Sequence, residues 1–186
     1  MDKKIILGLV GLLSCGKEAT KKYLAEKYNA KDCKYSTILS DILKRANIPI
    51  SRENLQKIST VLRKNFGEDL LAKAIAVDAS VLDSNIIVID GVRRLEDIEY
   101  LVKLPNFFLI RIEAELELRY KRQTERGEKV DDKEKTFEQF IKDHEAEADR
   151  LIPEVMKTAN YSINNNGTLE DLHKQIDEII EEILNK

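Results

Sequence analysis

The chain has 186 residues, a formal charge of −3, 42% hydrophobic residues and 35% charged residues. This length suits a single domain with a substantial core, and we expect residues 1–186 to form one. The slight negative charge gives no electrostatic reason to bind nucleic acid or a membrane, and no apolar run approaches a transmembrane span. Cys15 and Cys33 form no metal-ligand pattern and predict no disulfide framework, so we expect a cytoplasmic protein.

Short apolar runs along the chain predict β-strands. The clearest are residues 4–10, 85–90 and 107–112, and two weaker candidates are residues 33–36 and 160–164. Helical periods separate them, and the strong runs are apolar on both faces. This alternation predicts an α/β fold, a parallel sheet with helices on both sides.

Three helices have recognisable boundaries. Ser51 is a predicted N-cap, Gly67 separates its helix from the next one, and Thr168 begins a closing helix. Each helix carries an apolar stripe. The stripes are Leu55, Ile58, Leu62 and Phe66; then Leu70, Leu71, Ala74, Ile75 and Leu82; then Leu169, Leu172, Ile176, Ile179, Ile180 and Ile183.

The first strand runs into a glycine-rich turn, residues 11–17, with the pattern Gly-x-x-x-x-Gly-Lys. Glycines allow successive backbone N–H groups to point at phosphate oxygens, while Lys17 adds a charge and the following helix adds its dipole. An ordinary glycine-rich turn between a strand and a helix is the alternative. We expect a phosphate-binding loop at the carboxyl edge of the sheet, where parallel sheets bind ligands.

One part of this loop departs from the full pattern. A Ser or Thr normally follows the lysine and helps to hold Mg²⁺, but Glu18 and Ala19 stand here, and the nearest hydroxyl is Thr20. A carboxylate close to a phosphate is unfavourable unless a metal or a lysine compensates for it. The loop therefore matches a phosphate site better than a metal site.

A second group of polar residues follows the strand at 85–90. Asp90 comes at the end of four aliphatic residues and could orient Mg²⁺, directly or through water, although a helix-capping role is the alternative. Arg93 and Arg94 follow directly. Arginines at such a turn suit bidentate phosphate binding, and a solvated helix start is the alternative.

Arg119, Arg122 and Arg126 share one face of a predicted helix, and the charged segment 127–135 follows them. The combination is typical of a lid that brings cations over transferring phosphates. A surface face with salt bridges to neighbouring glutamates explains the same pattern, so both interpretations stay open.

With these motifs, the chain resembles the P-loop nucleoside monophosphate kinases, including the deoxynucleoside monophosphate kinases, and the related dephospho-coenzyme A kinases. Residues 11–17 match their nucleotide loop, and residues 39–44 resemble a segment that holds the acceptor phosphate. Residues 55–67 are similar to an acceptor-side helix, residues 90–94 resemble Asp-Gly-Phe-Pro-Arg, and residues 119–126 look like the lid base.

The resemblance implies a three-layer fold with a five-stranded parallel sheet, helices on both faces and a small lid. It implies an acceptor-binding insertion at residues 38–83 and a lid at residues 119–140. The implied roles are catalysis by Lys17, Asp90, Arg122 and Arg126; ATP binding by Gly11, Ser14, Cys15, Gly16, Lys17, Glu18, Ala19, Asn165 and Gly167; acceptor binding by Asp41, Lys44, Arg45, Arg63, Arg93 and Arg94; and Mg²⁺ binding by Asp90.

The leading hypothesis is a kinase that uses ATP and Mg²⁺ to phosphorylate a nucleoside monophosphate or a similar phosphorylated metabolite. A dephospho-coenzyme A kinase-like activity is one alternative, and a nucleotide-binding regulator without turnover is another, motivated by Glu18 and Ala19. An ATPase acting on a protein or RNA partner ranks last. We expect small-molecule nucleotides as partners, no nucleic acid, no membrane and a possible homodimer.

Overall fold

The computed structural model describes residues 4–126, 136–144 and 150–186, with the backbone alone for Arg126, Asp143 and His144. In these ranges a parallel sheet has the strand order β2-β3-β1-β4-β5. The strands are β1 (Ile5–Val10), β2 (Lys31–Lys34), β3 (Ile86–Asp90), β4 (Phe107–Glu113) and β5 (Tyr161–Asn164). The five-stranded parallel sheet expected from the resemblance is confirmed.

Helices connect the strands and cover both faces of the sheet. They are α1 (Lys17–Tyr28), α2 (Tyr35–Arg45), α3 (Arg52–Phe66), α4 (Leu70–Val81), α5 (Leu95–Ile98), α6 (Leu116–Arg126), α7 (Phe137–His144), α8 (Ile152–Met156) and α9 (Leu169–Leu184). None of the described helices is long and apolar enough to cross a membrane.

Alternation along β1 divides the core into two layers. Ile6 and Val10 face a cluster built with α2, α4 and α8, whereas Leu7 and Leu9 face a cluster built with α1 and α9. Leu7, Leu9 and Val10 are fully buried, as expected for a strand covered on both sides. This is the three-layer α/β architecture that the strand pattern predicts.

The predicted helix boundaries agree with local hydrogen bonding. The Ser51 hydroxyl accepts from the backbone N–H of Asn54, and the Thr168 hydroxyl accepts from that of Asp171. Gly67 ends α3 with a φ of 107°, a conformation in which a side chain is strained. Phe66 is an exception to the predicted stripe, because it is 67% exposed.

One strand lies earlier than predicted. The sequence pattern places it at residues 33–36, but β2 spans Lys31–Lys34 and α2 begins at Tyr35. Tyr35, Leu39 and Leu43 are buried on one face of α2 at helical spacing. Tyr35, near the end of the predicted strand, therefore belongs to a helix. The buried residues from Tyr35 onward recur every four positions, as on a helix face, and not every two, as on a strand.

Within the predicted lid, residues 127–135 lie outside the described part of the chain. The flanking helices contact each other through aromatic rings. The ring centroid of Tyr120 in α6 lies 5.2 Å from that of Phe137 and 5.7 Å from that of Phe140, both in α7. Phe140 is fully buried. The base of the predicted lid is thus a packed pair of helices.

Candidate active site

The turn between β1 and α1 has the backbone conformation of an anion cradle. Ser14 and Gly16 have φ angles of 59° and 116°, and Gly16 is the residue before α1. A Cβ at Gly16 would lie 2.0 Å from Nδ2 of Asn165, so only glycine fits there. The first N–H groups of α1 have no intrahelical partners by geometry, which leaves them as donors toward the turn.

Lys17 is folded over this loop. Its ammonium donates to the carbonyls of Gly11 at 2.6 Å and Leu12 at 3.1 Å, and it lies 3.7 Å from the Cys15 sulfur. The same side chain lines a cavity that Asp90 also lines. The ammonium therefore stays at the loop and next to the crevice above the sheet.

Two neighbouring elements fix the loop in place. The Asn165 amide, buried at the end of β5, donates to the Cys15 carbonyl at 2.8 Å. From α6, Gln123 accepts from the Ser14 hydroxyl at 2.5 Å, and Arg119 donates to the Leu13 carbonyl at 3.3 Å. Burial lowers the pKa of Arg119. These contacts hold the loop open without using its first-turn N–H groups.

A cavity of about 520 Å³ lies on the α9 side of the loop, and we name it the α9-side cavity. It brings together six residues predicted to bind ATP and one predicted to act in catalysis. Its lining is Ser14, Gly16, Glu18, Ala19, Arg122, Glu125, Asn165, Gly167, Thr168 and Leu169. Three other residues are predicted to bind ATP. Cys15 is buried within the loop, and Gly11 and Lys17 line a cavity on the other side of the loop.

Arg122 has an unusual environment in this cavity. Its Nη1 atom is buried and has no hydrogen-bond partner among the described residues. A buried guanidinium donor without an acceptor is unfavourable, so the atom suits an anion that enters from the cavity. Arg126, predicted to act with it, ends α6, and its side chain lies outside the described part of the chain.

A second cavity of about 580 Å³ lies on the other side of the loop, and we name it the basic cavity. Six basic side chains and two acidic ones line it together with an apolar wall. The charged residues are Lys17, Lys34, Arg52, Arg63, Arg93, Arg94, Asp90 and Asp97, and the wall includes Tyr35, Leu39, Leu55, Leu71, Val92 and Ile152. The excess of basic groups makes the cavity suited to an anion.

Lys34 and Arg52 are basic residues of this cavity that sequence reasoning missed. Lys34 ends β2 beside Asp90 in the sheet register, and Arg52 begins α3. The signal for Lys34 was its position at the carboxyl end of a strand, where parallel sheets collect functional groups. Arg52 gave no comparable signal, because the approach of α3 to the sheet is a tertiary feature.

A buried lysine joins the two cavities. The Lys21 ammonium lies 2.6 Å from a carboxylate oxygen of Glu18, 2.6 Å from Asp90 and 3.8 Å from Asp32. Its side chain is 4% exposed. Burial by itself lowers the pKa of Lys21, but hydrogen bonds to Asp90 and Glu18 outweigh that effect and raise it, so the group is charged.

Lys21 was also missed from the sequence, although a signal existed. With Thr20 and Leu24 it forms the buried face of α1. A lysine is normally assigned to the surface, and a position within the buried face is the reason to look for a carboxylate partner.

Arg63, predicted to bind the acceptor, is engaged elsewhere. Its guanidinium lies 2.6 Å from a carboxylate oxygen of Asp97, and both side chains are buried. Asp97 also accepts from the backbone N–H groups of Arg93 and Arg94, at 2.9 and 3.0 Å. The pair therefore shapes the turn that carries the two arginines, and Arg94 in addition lies 3.3 Å from Glu68.

Three predicted acceptor residues do not reach the basic cavity. Asp41 and Arg45 line a separate surface depression, and Lys44 pairs with Asp41 at 3.4 Å in an exposed position. The reason is helical geometry: α2 turns Tyr35 and Leu39 toward the cavity, so the polar residues of residues 39–45 lie on the opposite face. In this structure they lie away from the basic cavity, and their role in acceptor binding stays a prediction.

The hydroxyl nearest to the loop lysine does not face the site. Thr20 is fully buried and donates to the Gly16 carbonyl at 3.1 Å. Ala19, which lines the α9-side cavity, offers only a methyl group. The described part of the loop helix therefore has no hydroxyl in the position from which P-loop proteins hold Mg²⁺.

Asp90 retains one oxygen that a hydrated cation could use. Its Oδ2 accepts from Lys21, whereas no hydrogen bond within the described residues reaches Oδ1. The side chain is 22% exposed and lines the basic cavity with Lys17. Carboxylate oxygen is a donor that Mg²⁺ prefers, so Asp90 fits the metal, most simply through water.

No protein-family model matches the chain. UPF0200 protein MJ1399 of Methanocaldococcus jannaschii is 26% identical over 183 residues, covering 97% of this chain and 91% of that protein. A UPF0200 protein of Sulfurisphaera tokodaii is 29% identical over 181 residues, covering 96% of this chain and 97% of that protein. The similarity thus spans nearly the full length of these relatives.

Among solved structures, shikimate kinase from Bacteroides thetaiotaomicron superposes with a TM-score of 0.62. It is 12% identical in sequence, and the match covers 95% of this chain and 98% of that one. At this identity the likeness establishes the fold alone. The protein shares the three-layer α/β fold of that structure.

Proposed function

We propose that the protein is an ATP-dependent phosphotransferase whose acceptor is a nucleoside monophosphate or a similar small phosphorylated metabolite. The observation that carries the proposal is the position of the phosphate loop between the α9-side cavity and the basic cavity. A donor and an acceptor bound on opposite sides of one phosphate cradle can meet in line.

The α9-side cavity suits the donor nucleotide. Gly16 leaves the loop backbone open, Lys17 supplies a charge for the β- and γ-phosphates, and Asn165 supports the loop from below. Gly167 and Leu169 form the outer wall, where an apolar surface can cover a base. In this proposal ATP enters from the α9 side and directs its γ-phosphate toward Lys17.

The basic cavity suits an acceptor that already carries a phosphate. Arg93 and Arg94 lie at the carboxyl end of β3, Lys34 lies at the end of β2, and Arg52 begins α3. These basic groups suit a phosphate ester, because guanidinium and ammonium groups bind its oxygens through charge-assisted hydrogen bonds that a neutral acceptor could not form. The apolar wall has room for the uncharged part of the acceptor.

The transfer needs positioning and charge neutralisation. An acceptor oxygen forms a bond to the γ-phosphorus while the bond to the β–γ bridging oxygen breaks, and ADP leaves. Arg122 would donate Nη1 to the transferring group, and Asp90 would hold Mg²⁺ through Oδ1. When bound, the metal supplies neutralisation of phosphate charge. Arg126 stays a predicted partner of Arg122.

The proposal is tested by measuring ADP formation from ATP in MgCl₂ with a panel of candidate acceptors, the nucleoside monophosphates and dephospho-coenzyme A. We expect turnover with one class of acceptor, and we expect Lys17→Ala to reduce it by at least about 10²-fold. Lys22→Ala, an exposed lysine five residues on, is the matched control and should retain activity. No ADP above background with any acceptor, or full activity of Lys17→Ala, would refute it.

Binding of nucleotide without turnover is the second candidate function. It is favoured by the buried Thr20 hydroxyl and the Ala19 methyl group, which leave the loop without the usual metal-binding hydroxyl. Calorimetry that finds ATP or ADP binding, with no turnover on any acceptor, would support a regulator. A gain of activity in Ala19→Thr would show that the missing hydroxyl is the cause.

A further inference from the structure

Lys21 lies between the carboxylates of Glu18 in α1 and Asp90 at the end of β3. Its ammonium lies 2.6 Å from Glu18 Oε2 and 2.6 Å from Asp90 Oδ2. Glu18 lines the α9-side cavity and Asp90 lines the basic cavity. The buried ammonium therefore lies between one carboxylate of each cavity.

The contact explains how an acidic residue can follow the loop lysine. An uncompensated Glu18 carboxylate beside a diphosphate would repel it. Lys21 lies one turn along α1 from Glu18, and its aliphatic stem is packed within the helix–sheet interface. It can reach the carboxylate without leaving the buried face.

A divalent cation cannot occupy the same place. The point between Glu18 Oε2 and Asp90 Oδ2 is filled by an ammonium at hydrogen-bond distance from both. In P-loop proteins a metal ion usually links the loop hydroxyl to the strand aspartate. Here the Lys21 ammonium stands between Glu18 and Asp90 instead. A metal that used either carboxylate would have to bind the oxygen that Lys21 does not contact, Oε1 of Glu18 or Oδ1 of Asp90.

We propose that Lys21 is a resident counter-ion of Glu18 and Asp90, which lets the loop hold a nucleotide diphosphate without a divalent cation between those two carboxylates. The inference rests on the proposed nucleotide site, and it concerns binding of the nucleotide rather than phosphoryl transfer. Lys21 acts through Glu18 and Asp90, so it is a positioning residue.

A double-mutant cycle tests this, with ADP affinity measured by calorimetry in EDTA and again in MgCl₂. The variants are Lys21→Met, Glu18→Gln and the two together, and Lys22→Met is the control for loss of an exposed lysine from the same helix. Thermal unfolding of each variant checks that it is folded.

In EDTA we expect Lys21→Met to weaken ADP binding about tenfold, which equals about 1.4 kcal/mol, and the added Glu18→Gln to restore it. Glu18→Gln alone should weaken ADP binding less than Lys21→Met does, because this variant removes a negative charge and leaves Lys21 in place. MgCl₂ should rescue Lys21→Met, since the freed carboxylates can then take a cation. A purely structural role of Lys21 would not give this metal-dependent rescue.

Additive effects in the cycle, or equal losses in EDTA and MgCl₂, would overturn the inference while leaving the nucleotide site intact. If Lys21→Met does not fold, Glu18→Gln alone decides. Loss of the Mg²⁺ dependence of ADP affinity in that variant would make Glu18 a metal ligand and exclude the counter-ion role. Unchanged Mg²⁺ dependence of ADP affinity would support the counter-ion role. Absence of ADP binding by the wild type would overturn both this inference and the proposed function.

Discussion

Several charged side chains lie at the phosphate loop, and they differ in how far hydrogen bonds or ion pairs satisfy them. Lys17 is held by carbonyl oxygens of its own loop, and Lys21 is held by two carboxylates. Arg122 differs from both, because its buried Nη1 has no partner within the described residues. An unsatisfied buried donor costs stability, so this atom suits an anionic ligand.

Arg122→Met should therefore separate function from stability. Removing an unpartnered buried donor should leave the melting temperature unchanged or raise it, whereas turnover should fall by at least about 10²-fold because the transferring group loses a cation. Differential scanning calorimetry and an ADP-release assay measure the two effects. Lys121→Met, on the exposed side of the same helix, is the control. A lower melting temperature with unchanged turnover would show that Arg122 is structural.

At the scale of elements, α3 and the turn after β3 are joined by a buried ion pair. Arg63 of α3 contacts Asp97, which in turn accepts from the backbone of Arg93 and Arg94. Arg63 also donates to the Glu68 carbonyl. The pair sets the position of Arg93 and Arg94, so its first effect is on the shape of the basic cavity.

Arg63→Met should lower the free energy of unfolding by about 3–5 kcal/mol, because it leaves the Asp97 carboxylate buried without its cation. Urea denaturation measures this loss. Lys64→Met changes the exposed neighbour and should have an effect within about 0.5 kcal/mol. A loss below about 1 kcal/mol in Arg63→Met would mean that backbone hydrogen bonds alone satisfy Asp97.

Helices α1 and α9 are joined on the other face by a polar cluster around Asp177. Its carboxylate accepts from Tyr23, Tyr28 and Lys27 at 2.7 to 2.9 Å. Desolvation raises the pKa of Asp177, but the hydrogen bonds from Lys27 and the two tyrosines outweigh it and lower the pKa below its usual 3.8. Burial together with Asp177 raises the pKa of Tyr28 to about 12.

Asp177→Asn should destabilise the protein by roughly 1 kcal/mol at neutral pH, because it removes charge-assisted hydrogen bonds. Since the folded pKa is depressed, this stability is fully present above the ordinary pKa of 3.8 and is lost as the pH falls through the lower folded value. Unfolding measured from pH 7 to pH 2 should show the two proteins converging in acid. Glu178→Gln is the exposed control. A constant difference across this range would contradict the assignment.

At the scale of the whole molecule, the strand order brings two cavities to one loop. β1 lies at the centre of the sheet between β3 and β4, so the loop after it has the turn after β3 on one side. On its other side lie α6 and the turn after β5. A ligand that fills both cavities must pass over the loop.

Two nucleosides joined by a pentaphosphate should therefore stabilise the protein more than ADP does at the same concentration. At 100 times its dissociation constant, a ligand specific for the folded state adds about 2.7 kcal/mol, which a thermal-shift measurement detects. Lys17→Ala should lose most of this shift. An equal shift for the bisubstrate compound and for ADP would mean that only one of the cavities accepts a nucleotide.

Much of the architecture follows from local sequence. The strands Ile5–Val10, Ile86–Asp90 and Phe107–Glu113 are continuous apolar runs, and such runs are long enough to be recognised without knowing their neighbours. Ser51, Gly67 and Thr168 end or begin helices through contacts within a few residues. The glycine turn is recognised from adjacent residues, although contacts from Asn165, Gln123 and Arg119 hold it in place in the folded chain.

Only the tertiary structure decided which charged residues face the site. Asp41, Lys44 and Arg45 matched a family segment, yet the packing of α2 turns them away, while Lys34 and Arg52 enter the basic cavity. Lys21 is the clearest case: its partner Asp90 is 69 residues away in the chain. The sequence by itself determined the sheet, the helix ends and the loop, since these depend on short-range periodicity and backbone preference. Pairings between distant charges depend on how helices pack on the sheet, and that is fixed only when the chain is folded.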